Sequence, residues 1–150
     1  MKFTISAALL SLVSLVAAGN VARTPGCSEA DRFGVVTVSP TTVKAGDTIT
    51  VNVDLHCAVQ NFGIAAQFLD YTIEVPAADN NGHEVPIVLA RHAIATNALS
   101  DSLTTTVPHA FFFAGANYNV VVTNVYPSPG SDGSQVVLEG GTLTPITINV

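Results

Sequence analysis

Thr48-Ile49-Thr50-Val51-Asn52-Val53-Asp54-Leu55-His56-Cys57 alternates without a break over ten residues. Ile49, Val51, Val53, Leu55 and Cys57 share one face, and Asn52, Asp54 and His56 share the other. A side-chain period of two is that of a strand with one face buried and one in water. Working outward, 117–123 and 70–75 repeat the pattern strongly, and 34–38, 87–92, 102–107, 135–138 and 145–150 repeat it weakly. Between them lie turn residues: Ala45-Gly46-Asp47, Asn81-Gly82, Gly115, the 127–133 cluster and Gly140-Gly141. Gly and Asn take positive φ at little cost and Pro fixes φ, so these clusters interrupt the ladders. Asn81-Gly82 suggests a type I′ hairpin turn, within a connection that Pro76 and Pro86 make longer than a minimal one. Only 90–100 offers even a short helix, and it lacks a clean apolar stripe. About seven to nine short strands without helical crossovers predict an all-β antiparallel sandwich, with a small β-barrel as the alternative.

The chain begins with Lys2, an apolar run from Ile5 to Val16 and small residues at Ala17-Ala18-Gly19. These are the three parts of a secretory signal, with cleavage expected after Ala18. The run is too short to span a bilayer as a helix. The organisation read from the sequence is therefore a signal peptide at 1–18, an N-terminal segment carrying Cys27 at 19–33, and a β-sandwich domain at 34–150. The expected location is extracellular, with no membrane anchor, since the C-terminus has no hydrophobic tail. Without the leader the chain has four basic and eleven acidic residues, a formal charge of −7. The acidic residues are scattered and no basic patch exists to neutralise phosphates, which argues against nucleic acid as a partner. No Asn-x-Ser/Thr triplet occurs.

Cys27 and Cys57 are the two cysteines. In an oxidising compartment they can pair in one way within a chain. Counting outward by equal numbers from a connection near Thr42 reaches both, so an antiparallel first hairpin is expected to bring them together.

Val38-Ser39-Pro40-Thr41-Thr42-Val43-Lys44-Ala45-Gly46-Asp47-Thr48-Ile49-Thr50-Val51 resembles the opening strands of extracellular immunoglobulin-like domains. Ala114-Gly115-Ala116-Asn117-Tyr118-Asn119-Val120-Val121-Val122 looks like the sixth strand of such domains, opening with a corner tyrosine. The layout is also similar to small secreted fungal proteins of this type. The resemblance implies an immunoglobulin-like β-sandwich and no particular activity. Antibody domains carry a tryptophan and a second-to-sixth-strand cysteine pair, both missing here.

No catalytic residues are assigned. There is no Gly-x-Ser-x-Gly elbow, and Asp70 and Glu74 on one strand face lie about 13 Å apart, too far for a glycosidase pair. No metal or other cofactor is expected: Asp54 and His56 share a strand face, but no His-x-His or Cys-x-x-Cys accompanies them. Asp79-Asn80-Asn81-Gly82 lacks the alternating acids and closing glutamate of a calcium loop. Phe111-Phe112-Phe113, read as a strand, places the first and third rings in the core and Phe112 partly exposed at an edge, the alternative being an exposed aromatic anchor.

The expected function is surface binding to an extracellular protein or cell-wall component. The alternative is a secreted enzyme or inhibitor, or a carbohydrate- or metal-binding accessory domain. In an immunoglobulin-like order, three loops gather at one end and bring Phe62 and Tyr126 beside Gln60, Asn61 and Asp132. Aromatics framed by adaptable polar residues are the composition of a contact surface, or else cap the core.

Overall fold

The alternation of Thr48–Asp54 becomes a strand whose Ile49, Val51 and Val53 are buried and whose Asn52 and Asp54 are exposed. The computed structural model describes residues 26–150, so the leader assigned to 1–18 lies outside the described residues. Nine strands follow in order: β1 (Val35–Ser39), β2 (Thr42–Lys44), β3 (Thr48–Asp54), β4 (Phe68–Glu74), β5 (Ile87–Ala93), β6 (Ser100–Thr106), β7 (Asn119–Pro129), β8 (Gln135–Pro145) and β9 (Thr147–Asn149).

β1-β3-β6 form one antiparallel sheet and β5-β4-β7-β8 the other. β2 and β9 add a short parallel pair. The protein is an all-β sandwich of immunoglobulin-like type, and the sheets do not close into a barrel. Val36, Val51 and Leu103 from one sheet meet Leu69, Tyr71, Ile73, Val120 and Val122 from the other in a single buried core. Each such aliphatic side chain contributes on the order of 1.5–3 kcal/mol by leaving water. Among the described residues no helix is long and apolar enough to cross a membrane.

Tyr118 is the expected corner residue: its hydroxyl accepts a hydrogen bond from the Phe113 N–H at 3.0 Å, just upstream of β7. Cys27 and Cys57 form a disulfide with Cα atoms 5.6 Å apart, but the geometry behind it differs from the expected hairpin. Val35 pairs with Asp54 and Ser39 with Thr50, so the ladder is not centred on Thr42. Residues 42–44 instead form β2 and leave β1's sheet to pair with β9. The cysteines meet beyond the end of the ladder, Cys27 two residues before the 3₁₀ turn Glu29–Asp31 and Cys57 at the start of the π-helical turn Cys57–Asn61.

The phenylalanine run is a second correction. Phe111 is 96 % exposed and Phe113 43 % exposed, whereas Phe112 packs on the core. The Phe112 ring meets Tyr118 edge-on, with centroids 5.4 Å apart. Residues 107–118 form no ladder, so strand alternation does not govern them, and the corner tyrosine selects the ring it covers. Residues 90–93 belong to β5 and 94–99 to a loop, which leaves no helix there. The β4–β5 connection is a twelve-residue loop, longer than a minimal turn as Pro76 and Pro86 imply.

Candidate binding surfaces

At the disulfide end, the Arg32 guanidinium lies 5.9 Å from the ring centres of both Phe33 and Phe62. The Phe33 ring in turn lies 6.2 Å from that of Tyr126. The structure thus brings Phe62 and Tyr126 into one cluster, joined by two residues absent from the expected set, Arg32 and Phe33. Both aromatics are half-buried against the core. Gln60 is exposed on the π-helical turn and Asn61 is half-buried beside it. Asp132 stands apart at the β7–β8 turn, where the Ser134 hydroxyl and N–H bond its carboxylate at 2.6 and 3.0 Å. The hydroxyl first and then the N–H hold that carboxyl below the usual aspartate range.

Phe33 reaches its place because Gly140 on β8 leaves room for it, and a Cβ there would overlap the ring. Beneath it, the buried Asn124 amide donates to the Phe33 carbonyl at 3.4 Å. The Asn124 Oδ1 is buried with no hydrogen-bond partner among the described residues. No motif marks Phe33 or Asn124 as part of this end. Their signal is a long-range approach that only the β7–β8 pairing creates.

The outer faces of the two sheets differ in chemistry. On β3 and β6 the register sets Thr48 against Thr106, Thr50 against Thr104 and Asn52 against Ser102. The Thr50 and Thr104 hydroxyls lie 3.0 Å apart, and Ser102 donates to Asn52 at 2.8 Å, giving a polar, self-bonded surface. On the four-stranded sheet the outward set includes Phe68, Val88, Val121, Val125 and Leu143. Val88 is 73 % exposed and Leu143 53 % exposed. Amid these, Arg91 makes a two-pronged contact with Asp70 at 2.5 and 2.6 Å and lies 5.5 Å from the Phe68 ring centre. The guanidinium holds the Asp70 carboxyl below its ordinary range, and the carboxylate raises Arg91.

One polar cluster bridges the sheets. Tyr71 on β4 donates to Asp101 Oδ2 on β6 at 2.6 Å, and His92 Nδ1 on β5 lies 2.7 Å from the same oxygen. Burial, and then the Asp101 carboxylate, push the Tyr71 phenol far above its usual value. Burial by itself raises Asp101, but hydrogen bonds from Tyr71, His92 and the Ser102 N–H outweigh it and leave the carboxyl lowered. This arrangement ties β5 to β6 at the open side of the sandwich. The other suggestive positions are taken up locally. Asp54 accepts from the His56 N–H at 2.8 Å and lies 2.7 Å from its ring Nδ1. Asn80 and Asn81 accept from the N–H groups of Gly82 and His83 in a polar turn. Among the described residues no group of three or more His, Cys, Asp or Glu side chains is placed to hold a metal ion.

No protein-family model matches the chain, and no curated protein matches it. Solved structures of a superoxide reductase (neelaredoxin) from Ignicoccus hospitalis do align with it. One variant aligns at 10 % identity and TM-score 0.45, over 80 % of this chain and 84 % of that one. The unmodified enzyme gives 13 % identity and TM-score 0.41, over 77 % and 80 %. A second variant gives 13 % and 0.38, over 83 % and 88 %. At that distance, activity has to be argued from this chain's own residues.

Proposed function

We propose that this protein is a secreted, non-catalytic β-sandwich that acts by binding an extracellular protein through the outer face of its four-stranded sheet. The observation that carries the reading is the contrast between the two outer faces. Apart from Val35, one is a self-bonded hydroxyl and amide surface, while the other sets Phe68, Val88, Val121, Val125 and Leu143 among the Asp70–Arg91 ion pair, Thr72, Glu74, Thr123 and Glu139. Antiparallel sheets with one face in water usually alternate apolar-in and polar-out. An outer face with apolar side chains on all four neighbouring strands departs from this and is the composition of a contact surface. The apolar groups are mostly aliphatic, which favours a protein surface over the flat sugar rings that coplanar aromatics grip.

The test is retention of partners from the native extracellular milieu and from wall material, followed by calorimetry with the purified partner. Val88→Glu with Leu143→Glu should weaken that binding at least roughly tenfold, because it places two charges in a desolvated contact. Thr50→Glu with Thr104→Glu on the opposite sheet should leave it unchanged. Loss through the threonine face alone, or retention by polysaccharide alone, would replace this reading.

A second reading, a metal-binding or catalytic role, draws on the Tyr71–Asp101–His92 cluster. An ion or an activity that His92→Ala and Asp101→Asn abolish would favour it.

A further inference from the structure

The β7–β8 hairpin outruns its sheet. β4 ends opposite Val125, where the Gln67 N–H donates to the Val125 carbonyl, yet β7 and β8 remain paired as far as Pro129 and Gln135. The projecting arm therefore has two lateral edges. The Gly130 N–H donates to the Ser134 carbonyl at 2.7 Å, so the even-numbered residues of the two strands bond each other and the odd-numbered ones point their main chain outward.

On β7 the outward residues of the arm are Pro127 and Pro129, which have no N–H to offer. Proline on an exposed edge blocks strand addition. On β8 the outward residues are Gln135, Val137 and Glu139, which keep both donor and acceptor. All three are exposed, as are Val136 and Leu138 between them. Beyond Glu139 the strand runs back over the sandwich: Phe33 lies over the inner face of Gly140, and the Thr144 hydroxyl donates to the Val36 carbonyl on β1 at 2.9 Å. One edge of the arm is thus blocked and the other is open along its five residues, Gln135-Val136-Val137-Leu138-Glu139.

That segment is complementary to itself when reversed. Centred on Val137, an antiparallel copy sets Val137 against Val137, Val136 against Leu138 and Gln135 against Glu139. Every outward N–H and C=O then finds its counterpart, apolar side chains meet apolar ones, and each Glu carboxylate faces a Gln amide. Centring on Glu139 would oppose two carboxylates, while centring on Gln135 would run off the arm. We propose that a second copy of this chain pairs with the open edge of β8 in the Val137-centred register, joining two four-stranded sheets into one across a two-fold axis. The surface is distinct from the sheet face proposed above and does not depend on it.

A contact of this size lies below the usual range for a permanent dimer, so sedimentation velocity should show monomer at about 10 μM and a growing dimer fraction toward about 1 mM. Val137→Pro, which removes the central N–H without touching the β7 pairing, should leave monomer throughout. Gln135→Glu opposes carboxylates at both ends of the ladder and should weaken the dimer roughly tenfold at low salt. Adding Glu139→Gln recreates the amide–carboxylate pairs in swapped order and should restore it. A wild-type monomer at the highest concentration would overturn the proposal. So would a Val137→Pro dimer as strong as the wild type, or a double variant that does not recover.

Discussion

The Phe33 ring occupies the space that a side chain on Gly140 would fill, although the two residues are more than a hundred positions apart in sequence. That fit joins the disulfide-bearing segment to β8, and it sets the position of Phe33 between Arg32 and Tyr126. Gly140→Ala must displace the ring, and overpacking of this kind costs about 1–3 kcal/mol. Urea denaturation monitored by tyrosine fluorescence checks it. Phe33→Ala combined with Gly140→Ala should cost less than the two changes summed, because the ring that obstructs the methyl is then gone.

Removing the disulfide should lower stability by about 3–4 kcal/mol, the chain-entropy value for closing a loop of this length. The two cysteines are 30 positions apart. Cys27→Ser with Cys57→Ser, compared with wild type by thermal and urea unfolding, measures the loss. Unfolding that is unchanged in the double variant would mean that the 3₁₀ and π-helical turns hold this end without the bond.

The bridge between the sheets predicts a pH dependence. The folded-state pKa of Asp101 is depressed, so its contribution is complete above the unfolded aspartate value of about 3.9 and is lost as pH falls through the lower folded value. Asp101→Asn should destabilise the protein by about 1–3 kcal/mol at neutral pH. It should also flatten the acid side of the stability curve. Asp70→Asn removes an ion pair whose Arg91 is largely exposed, and should cost no more than about 1 kcal/mol.

The phenylalanine run separates by burial. Phe112→Ala should cost about 3 kcal/mol, since Phe112 packs between the core and Tyr118, whereas Phe111→Ala should leave the melting temperature unchanged. Strand alternation would have predicted the reverse order. Tyr118→Phe leaves the Phe113 N–H without its acceptor and should cost about 1–2 kcal/mol.

Much of the fold was legible because period two is a local property. Ile49, Val51 and Val53 announce β3, and Tyr118 announces the corner, from a few neighbours in sequence. β2 was not legible: three residues give too short a pattern, and its partner β9 lies over a hundred positions away. The disulfide was anticipated from cysteine count and compartment, while the register argument for it did not match the ladder. At the candidate end, Phe62 and Tyr126 could be grouped from loop order alone. Arg32, Phe33 and Asn124 could not, because their meeting depends on a glycine on a different strand. The projecting arm was hidden for a similar reason. Pro127, Pro129 and Gly130 read as the start of a loop, since proline discourages a central strand, but these prolines stand on an outer edge where no N–H is required.

The Cys27–Cys57 bond also decides how the domain would bear tension. It closes a covalent ring around β1, β2 and β3. A pull applied at the two ends of the domain enters at Cys27, crosses the sulfur bridge and leaves along the chain after Cys57. The three strands inside the ring are never in the line of force. They can be shed from the sandwich but not drawn out, which withholds roughly 100 Å of contour length from the stretched chain. A reducing agent would return that length, as a longer extension step when single molecules are stretched.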